Sequence, residues 1–387
     1  MPIQRPAPRI TRYGELVAYV RAHIHDQTFP PGTRLPTEMA LAHTHHISRS
    51  TVRQALHLLE QEGLVERIQG SGTFVRRLST ALPALSKAAR RIGVVLTYAG
   101  DQLNMELLIG IDQAAKARSY TVSFSYSLDS ATQQDRNLAQ LREDGMAGLI
   151  LFPVSIKSES PTIAQLQADG VPIVFIDRYL ANNAGYTSDY VVADNVAGGY
   201  RATEHLLVMG HTRIGFIYNE GYLSTTSVRD RYEGYRKALR DYGVPDDHQL
   251  IFAYPGLYEL SDGTAALPFL AGPTRPSAVF VSNDLQALVL YQTVHRCGLR
   301  VPEDLAVVSF DDLSFAAYLS PPLTTVAQPR VEIGQRAAEI LLDRIEGDTQ
   351  SPRQMILPTQ LVVRDSCGAR LRIQQSIGRA AHGEPVI

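Results

Sequence analysis

Two groups of residues in this 387-residue chain have the types and spacing to carry recognition chemistry. The first is Ser48-Arg49-Ser50-Thr51-Val52-Arg53-Gln54. Short hydroxyls there can donate to phosphate oxygens, and arginines at i and i+4 can reach base edges, above all guanine O6 and N7. The second group is scattered but alike. Tyr98 and Asp101, Asp177 and Arg178, Asn283 and Asp284, and Asp311-Asp312 each follow a short apolar run. Carboxylates, an amide and an arginine brought to one place supply the directed acceptors and donors that a polyhydroxylated ligand needs. A lone Ser/Arg cluster also fits a solvated helix face, and a lone strand-end Asp also fits a helix cap. The elements that hold these residues decide between the readings.

Covalent and metal chemistry find little material. Cys297 and Cys367, the two cysteines, have neither CxxC nor Cys/His spacing, which leaves no disulfide framework or zinc finger. Lys87, Lys116, Lys157 and Lys237 are the four lysines, and none has a setting suited to a Schiff base. GxSxG, Walker A and HExxH motifs are absent. The run His43, His45, His46 lacks an adjacent carboxylate or cysteine and reads as polar surface rather than a metal site. A non-enzymatic protein without cofactor or metal is expected. Three prolines precede Ile10 with no apolar h-region, which argues against a secretory signal. No stretch approaches the roughly 18 apolar residues of a membrane span, so the expected location is the cytoplasm, with no membrane partner.

The formal charge of −2 divides unevenly. Residues 1–80 hold 10 Arg and 6 Asp/Glu, a balance of +4, with 6 of the 11 His; the remainder is acidic. A basic head on an acidic body is the asymmetry expected when one module meets a polyanion. In the head, Tyr13, Leu16, Val17, Val20 and Ile24 predict a helix over 13–27. Thr37 caps a second helix, and Ser48 caps a third whose stripe is Val52, Ala55, Leu56 and Leu59, with Gly63 as its stop. Leu64–Ile68 and Thr73–Arg76 flank Gln69-Gly70-Ser71-Gly72 as a hairpin. Helix, helix, turn, helix and hairpin make a winged helix-turn-helix (α with a β-wing), whose third helix enters the major groove.

The runs Pro31–Glu38, Ile47–Leu56, Glu62–Val65 and Gly70–Val75 resemble the GntR-type winged helix in order and spacing. That resemblance implies DNA contacts from Ser48, Arg49, Ser50, Thr51 and Arg53, and from Gln69, Gly70 and Gly72 in the wing. Arg34 and Thr37 complete the candidate set. Met39 stands where the family usually has a DNA-contacting Arg, so either that contact is missing or Arg34 or a histidine substitutes for it.

From Ile92 onward, short continuous apolar runs alternate with helical segments. They are 92–97, 122–126, 148–152, 172–176, 190–193, 214–218, 277–281 and 305–310. Such runs predict parallel sheet covered on both faces, and about 270 residues suit two α/β lobes with ligands at the carboxyl ends of strands. Asp194–Gly199, Glu204-His205-Leu206 with Gly210-His211, Arg229–Gly234, Ser282-Asn283-Asp284, Val301–Leu305, Phe310-Asp311-Asp312 and Pro322–Val326 resemble the LacI/GalR, periplasmic-binding-protein-like effector domain. The resemblance implies effector contacts from Arg229, Asn283, Asp311 and Gln328, beside the strand-end candidates Tyr98, Asp101, Asp177 and Arg178. It also implies structural roles for His205 and His211, with Ser309 where the family usually has Gly. A GntR head on a LacI-like body resembles the arabinose-repressor subfamily. That implies a homodimer on a pseudo-palindromic DNA operator, released by a small sugar, with L-arabinose or another pentose first. A hexose, a nucleoside or a co-repressor or activator mode stays open. The aminotransferase-fused GntR type would need a longer body and a Schiff-base lysine. The expected boundaries are a winged helix over 1–76, a basic linker over 77–91, an effector and dimerisation domain over 92–366, and a disordered tail over 367–387.

Overall fold

The computed structural model describes residues 12–25, 28–30, 32–61, 64–68, 72–75, 90–98, 101–154, 160–180, 188–255, 264–272 and 274–370. Gln69, Gly70, Gly63, most of the 77–91 linker and residues 371–387 of the expected tail lie outside the described residues, whereas Cys367, placed in that tail by the sequence, is buried in the core of the second unit, so the ordered chain runs past 366. The chain divides into two compact units, Met1–Ala88 and Ala89–Ile387.

In the first unit, Leu16, Val17 and Val20 of α1 (Arg12–His25) turn inward onto Val52, Ala55, Leu56 and Leu59 of α3 (Arg49–Gln61). The i, i+3, i+4, i+7 spacing on α3 is what makes one buried stripe and leaves the opposite face to solvent. Between them lies α2 (Glu38–Thr44), capped by Thr37, whose Oγ1 accepts from the Ala40 N–H at 3.2 Å. Ser48 caps α3 by accepting from the Thr51 N–H at 3.2 Å. Strands β1 (Val65–Ile68) and β2 (Gly72–Val75) pair antiparallel, from Val65 opposite Val75 to Ile68 opposite Gly72. This is the winged helix-turn-helix that the motifs imply.

The second unit has two lobes, each a six-stranded sheet between helices. The first lobe is built from β3 (Arg91–Leu96), α4 (Gln102–Ala117), β4 (Thr121–Tyr126), α5 (Ala131–Glu143), β5 (Leu149–Leu151), α6 (Pro161–Ala168), β6 (Ile173–Ile176) and β7 (Asp189–Ala193). The second holds α7 (Asn195–Val208), β8 (Ile214–Asn219), α8 (Thr226–Asp241), β9 (Ile251–Tyr254), α9 (Leu267–Ala271), β10 (Ala278–Val281), α10 (Asp284–Arg296), β11 (Ala306–Asp311) and β12 (Thr324–Ala327). The chain then returns through α11 (Arg330–Ile345) and β13 (Gln354–Leu357) to the first lobe, and β14 (Gln360–Val362) closes the second. Sheet orders are β13-β7-β6-β5-β3-β4 and β14-β12-β11-β10-β8-β9, with β14 alone antiparallel to its neighbour. The chain therefore passes between the lobes three times, after β7, β12 and β13.

Each of the eight apolar runs is a strand. Four further strands, β9, β12, β13 and β14, lie outside those runs. Along β13 the apolar run is only Met355-Ile356-Leu357 and exposed and buried positions mix, and β14 is a three-residue edge, so neither shows the longer, doubly buried run of a central strand. Two glycines fix the crossing of α7 on α8. A Cβ at Gly199 would lie 2.2 Å from the Arg231 carbonyl oxygen, and one at Gly234 would lie 2.2 Å from that of Val196. That backbone contact seats the first turns of α8 beside the cleft.

Candidate functional site

Strand ends from both lobes meet in one cavity. Thr97 and Asp101 follow β3, Asp177 and Arg178 follow β6, Asn283 follows β10, and Asp311 ends β11. The first turns of α8 add Ser227, Val228 and Arg231, Phe152 and Tyr222 add two rings, and Leu103, Leu285 and Leu313 complete the wall. The water-accessible volume is about 50 Å³, which at roughly 10–15 Å³ per water holds about four waters.

Several of these groups have a second task that fixes their direction. Asp101 caps α4, its Oδ1 accepting from the Leu103 N–H at 2.9 Å, and Asn283 caps α10, its Oδ1 accepting from the Gln286 N–H at 2.9 Å. The helix-cap reading and the cavity reading thus both hold for these two. Asp177 and Asp311 cap nothing. They lie at φ +62° and +118°, a region that non-glycine residues rarely adopt and that clusters at functional sites. Burial pushes the carboxyls of Asp177, Asp311 and Asp101 above the ordinary range, with Arg178 and Arg231 opposing at Asp177 and Arg231 opposing at Asp311. The cavity therefore holds acids short of donors.

Arg231 is the residue that sequence reasoning missed. It is 4% exposed, donates Nε to Asn195 Oδ1 at 2.9 Å and Nη1 to the Ser282 carbonyl at 2.6 Å, and lies 3.4 Å from Asp311 Oδ1. Its guanidinium stacks on Phe310 at 3.7 Å. Arg229, assigned to the effector by resemblance, does not line the cavity. Its Nη2 pairs with Asp230 Oδ1 at 2.8 Å and donates to the Tyr179 hydroxyl at 3.0 Å. Residues two apart on a helix point in different directions. Arg231 shares the buried stripe of Val228, Tyr235 and Ala238, and that spacing was the available signal.

Gln328 also stands back from the void. It is 7% exposed and its Nε2 donates to Asp311 Oδ1 at 2.7 Å, so it positions the acid. Tyr98 lies beside Asp129, Tyr222 and Arg178, and burial with the Asp129 charge pushes its hydroxyl up to about 12. Beneath Asn283, the buried carboxylate of Asp284 accepts from the Ser309 hydroxyl, from Thr325 Oγ1 at 2.7 Å and from the Leu313 N–H at 2.7 Å. Ser309, which replaces the family's usual glycine, is thus a donor inside this network. Arg330 donates to the carbonyls of Asp311 and Asp312, and its Nε pairs with Glu106 of α4 at 2.9 Å.

The first unit places Ser48, Arg49, Ser50 and Arg53 on the exposed face of α3, with Thr51 half-buried. The Ser48 hydroxyl is bonded to Ser50 Oγ and Thr51 Oγ1, each at 2.7 Å. Arg53 donates Nε to Glu38 Oε2 at 2.9 Å, which holds its guanidinium against α2. Arg34 joins the wing through a bridge to Phe74, and its guanidinium lies against Gly72, where φ is +119°. A side chain at Gly72 would meet Arg34 Nε at 2.8 Å. Met39 is 69% exposed, so α2 offers an apolar side chain where the family usually offers Arg. Among the described residues no group of three His, Cys, Asp or Glu has metal-binding geometry, and no helix is long and apolar enough to cross a membrane.

Comparison with known proteins covers both units. Residues 12–75 match the family described as bacterial regulatory proteins, gntR family, and residues 203–367 match the periplasmic binding protein-like domain. The arabinose metabolism transcriptional repressor of Geobacillus stearothermophilus is 30% identical over 367 residues, covering 92% of this chain and 98% of that one. The ribose operon repressor of Escherichia coli K12 is 30% identical over 330 residues, covering 83% of this chain and 96% of the other. A LacI family transcriptional regulator from Enterococcus faecium, solved with bound ribose, superposes with a TM-score of 0.61 at 28% identity over 71% of this chain and 98% of its own.

Proposed function

Since the chain belongs to the gntR-headed family of the arabinose metabolism transcriptional repressors, we propose that a pentose releases it from its operator. It is a DNA-binding, sugar-responsive transcriptional repressor. The observation that carries the effector reading is the convergence of Asp101, Asp177, Asn283 and Asp311 with Arg178 and Arg231 around space for about four waters. One sugar ring replaces those waters with hydroxyls that donate to the acids and accept from the guanidinium groups; a disaccharide overfills the space. L-arabinose is first, because arabinose and ribose name the regulators quoted above.

On the DNA side, Arg49 and Arg53 read base edges while Ser48, Ser50, Thr51 and the wing fix the register on phosphates. Arg53 reaches DNA by leaving Glu38. A homodimer on an imperfect palindrome fits the exposed apolar strip of Met105, Ile109 and Phe124 on α4 and the edge strand β4, which a second copy covers. The chain acts in the cytoplasm and performs no catalysis.

A thermal-shift screen over pentoses, hexoses and nucleosides, followed by operator release with each hit, tests the reading. L-arabinose or another pentose should raise the melting temperature and dissociate the operator complex. Stabilisation by a nucleoside or hexose alone overturns the effector assignment.

A further inference from the structure

Arg229 is excluded from the cavity, yet it is not idle. Its Nη2 donates to the Tyr179 hydroxyl at 3.0 Å, and its Nε and Nη2 hold Asp230 Oδ1 at 2.9 and 2.8 Å. The Tyr179 hydroxyl in turn donates to Asp230 Oδ2 at 3.2 Å, and the Tyr179 N–H donates to Thr226 Oγ1 at 3.0 Å. Tyr179 belongs to the first lobe, where its ring stacks on Tyr190 of β7 at 4.5 Å and 16°. Thr226, Arg229 and Asp230 belong to α8 of the second. The bonds from Tyr179 to α8 therefore cross the cleft, and all four residues lie outside the wall of the cavity.

We infer that Tyr179, Thr226, Arg229 and Asp230 form a latch that sets the fraction of closed protein, and with it the sugar sensitivity, without taking part in the choice of sugar. The inference rests on the cleft being the effector site. A ligand that needs the closed form binds with an apparent dissociation constant equal to its intrinsic constant divided by the closed fraction. A bond made only on closure multiplies the affinity for every ligand by one factor, whereas a contact in the cavity weights each sugar by its own fit. The Arg229 side chain is 43% exposed, so the latch is solvated and readily reopened.

The test uses the full chain with Tyr179→Phe, which removes the hydroxyl and keeps the ring and the backbone N–H, and with Arg229→Met as a second variant. Calorimetry with L-arabinose, D-ribose and D-xylose should show every sugar that binds weakened about 3- to 10-fold, with the ratios among sugars preserved. Operator affinity without sugar should not weaken. Changed ratios, or unchanged affinities, overturn the latch. Amide exchange at Ser314 gives a second readout, because its N–H donates across the cleft to Gln102 Oε1 at 2.7 Å, apart from the latch bonds. In both variants that amide should exchange about 3- to 10-fold faster, and an unchanged rate with and without sugar overturns the inference. If none of the sugars binds the unaltered protein, the effector reading fails, and the exchange at Ser314 still decides the latch.

Discussion

Asp311→Asn should separate stability from sensing. Asp311 is 6% exposed, accepts from Gln328 at 2.7 Å and has Arg231 at 3.4 Å, yet burial pushes its carboxyl up from 3.8 to about 7. At pH 8 the ionised group therefore weighs against folding by up to about 4 kcal/mol, at 1.36 kcal/mol per tenfold change in proton affinity. The amide removes that cost and keeps the shape. That figure already contains the attraction of Arg231, whose guanidinium keeps Asn195 and the Ser282 carbonyl as acceptors in the variant. A gain of about 2–4 kcal/mol should raise the melting temperature by several degrees at pH 8 and by less at pH 5.5, where the unaltered folded acid is protonated. Sugar hydroxyls lose charge-assisted bonds worth about 1.5–3 kcal/mol each, so affinity should fall roughly 10- to 100-fold. Differential scanning fluorimetry at both pH values, with calorimetric titration of L-arabinose, measures both effects. A variant that melts several degrees lower at pH 8 and binds sugar as before would refute the reasoning.

Further outcomes follow from the same geometry. Because burial raises the Asp311 carboxyl and hydroxyl donors favour its ionised form, sugar binding should release a proton between about pH 5.5 and 8, read as a buffer-dependent binding enthalpy; affinity that rises as the pH falls would contradict the sign. Arg49→Ala should abolish specific operator binding in fluorescence anisotropy at moderate salt and leave sugar affinity intact. Glu38→Gln removes the negative charge that holds Arg53 at 2.9 Å, and should tighten DNA binding about 3- to 10-fold with a steeper salt dependence. Ile109→Glu, on a side chain 45% exposed, should yield monomers in sedimentation and weaken operator binding, with the sugar response of the remaining monomer unchanged.

The sequence was most legible where one element decides the outcome. The stripe of α3 and the cap at Ser48 follow from spacing within thirteen residues, and strand ends follow from runs that stop at Asp177, Asn283 and Asp311. It was least legible where two elements decide together. Arg229 and Arg231 are chemically alike, and the choice between them depends on the crossing of α7 on α8 at Gly199 and Gly234. Gln328 sits at a lobe crossover, and its role emerges only when β12 lies beside β11 and directs the amide to Asp311. Tyr222 and Asp129 are 93 positions apart, and no local pattern foretells the 2.7 Å bond that joins them across the cleft. Arg53 shows the same limit in the head, because its partner Glu38 is on another helix.

The cavity and the latch divide the work of switching between them. Closing an empty cleft moves Asp101, Asp177 and Asp311 further from water while Arg178 and Arg231 compensate only in part, so closure without ligand is opposed. Moving such an equilibrium from 1:99 to 99:1 takes about 5.5 kcal/mol of differential binding. Two to four hydroxyl bonds to buried carboxylates, at about 1.5–3 kcal/mol each, supply that amount. The latch supplies less, because its cross-cleft bonds are the hydrogen bonds between Tyr179 and α8, at about 0.5–1.5 kcal/mol each before solvent competes, and the Arg229 side chain among them is nearly half exposed. A fully buried ion pair between the lobes at the same place would hold them together with no sugar present and deprive the operator of its repressor. The exposure of Arg229 is therefore what allows the latch to set the sugar concentration at which release occurs while the carboxylates determine whether release occurs at all.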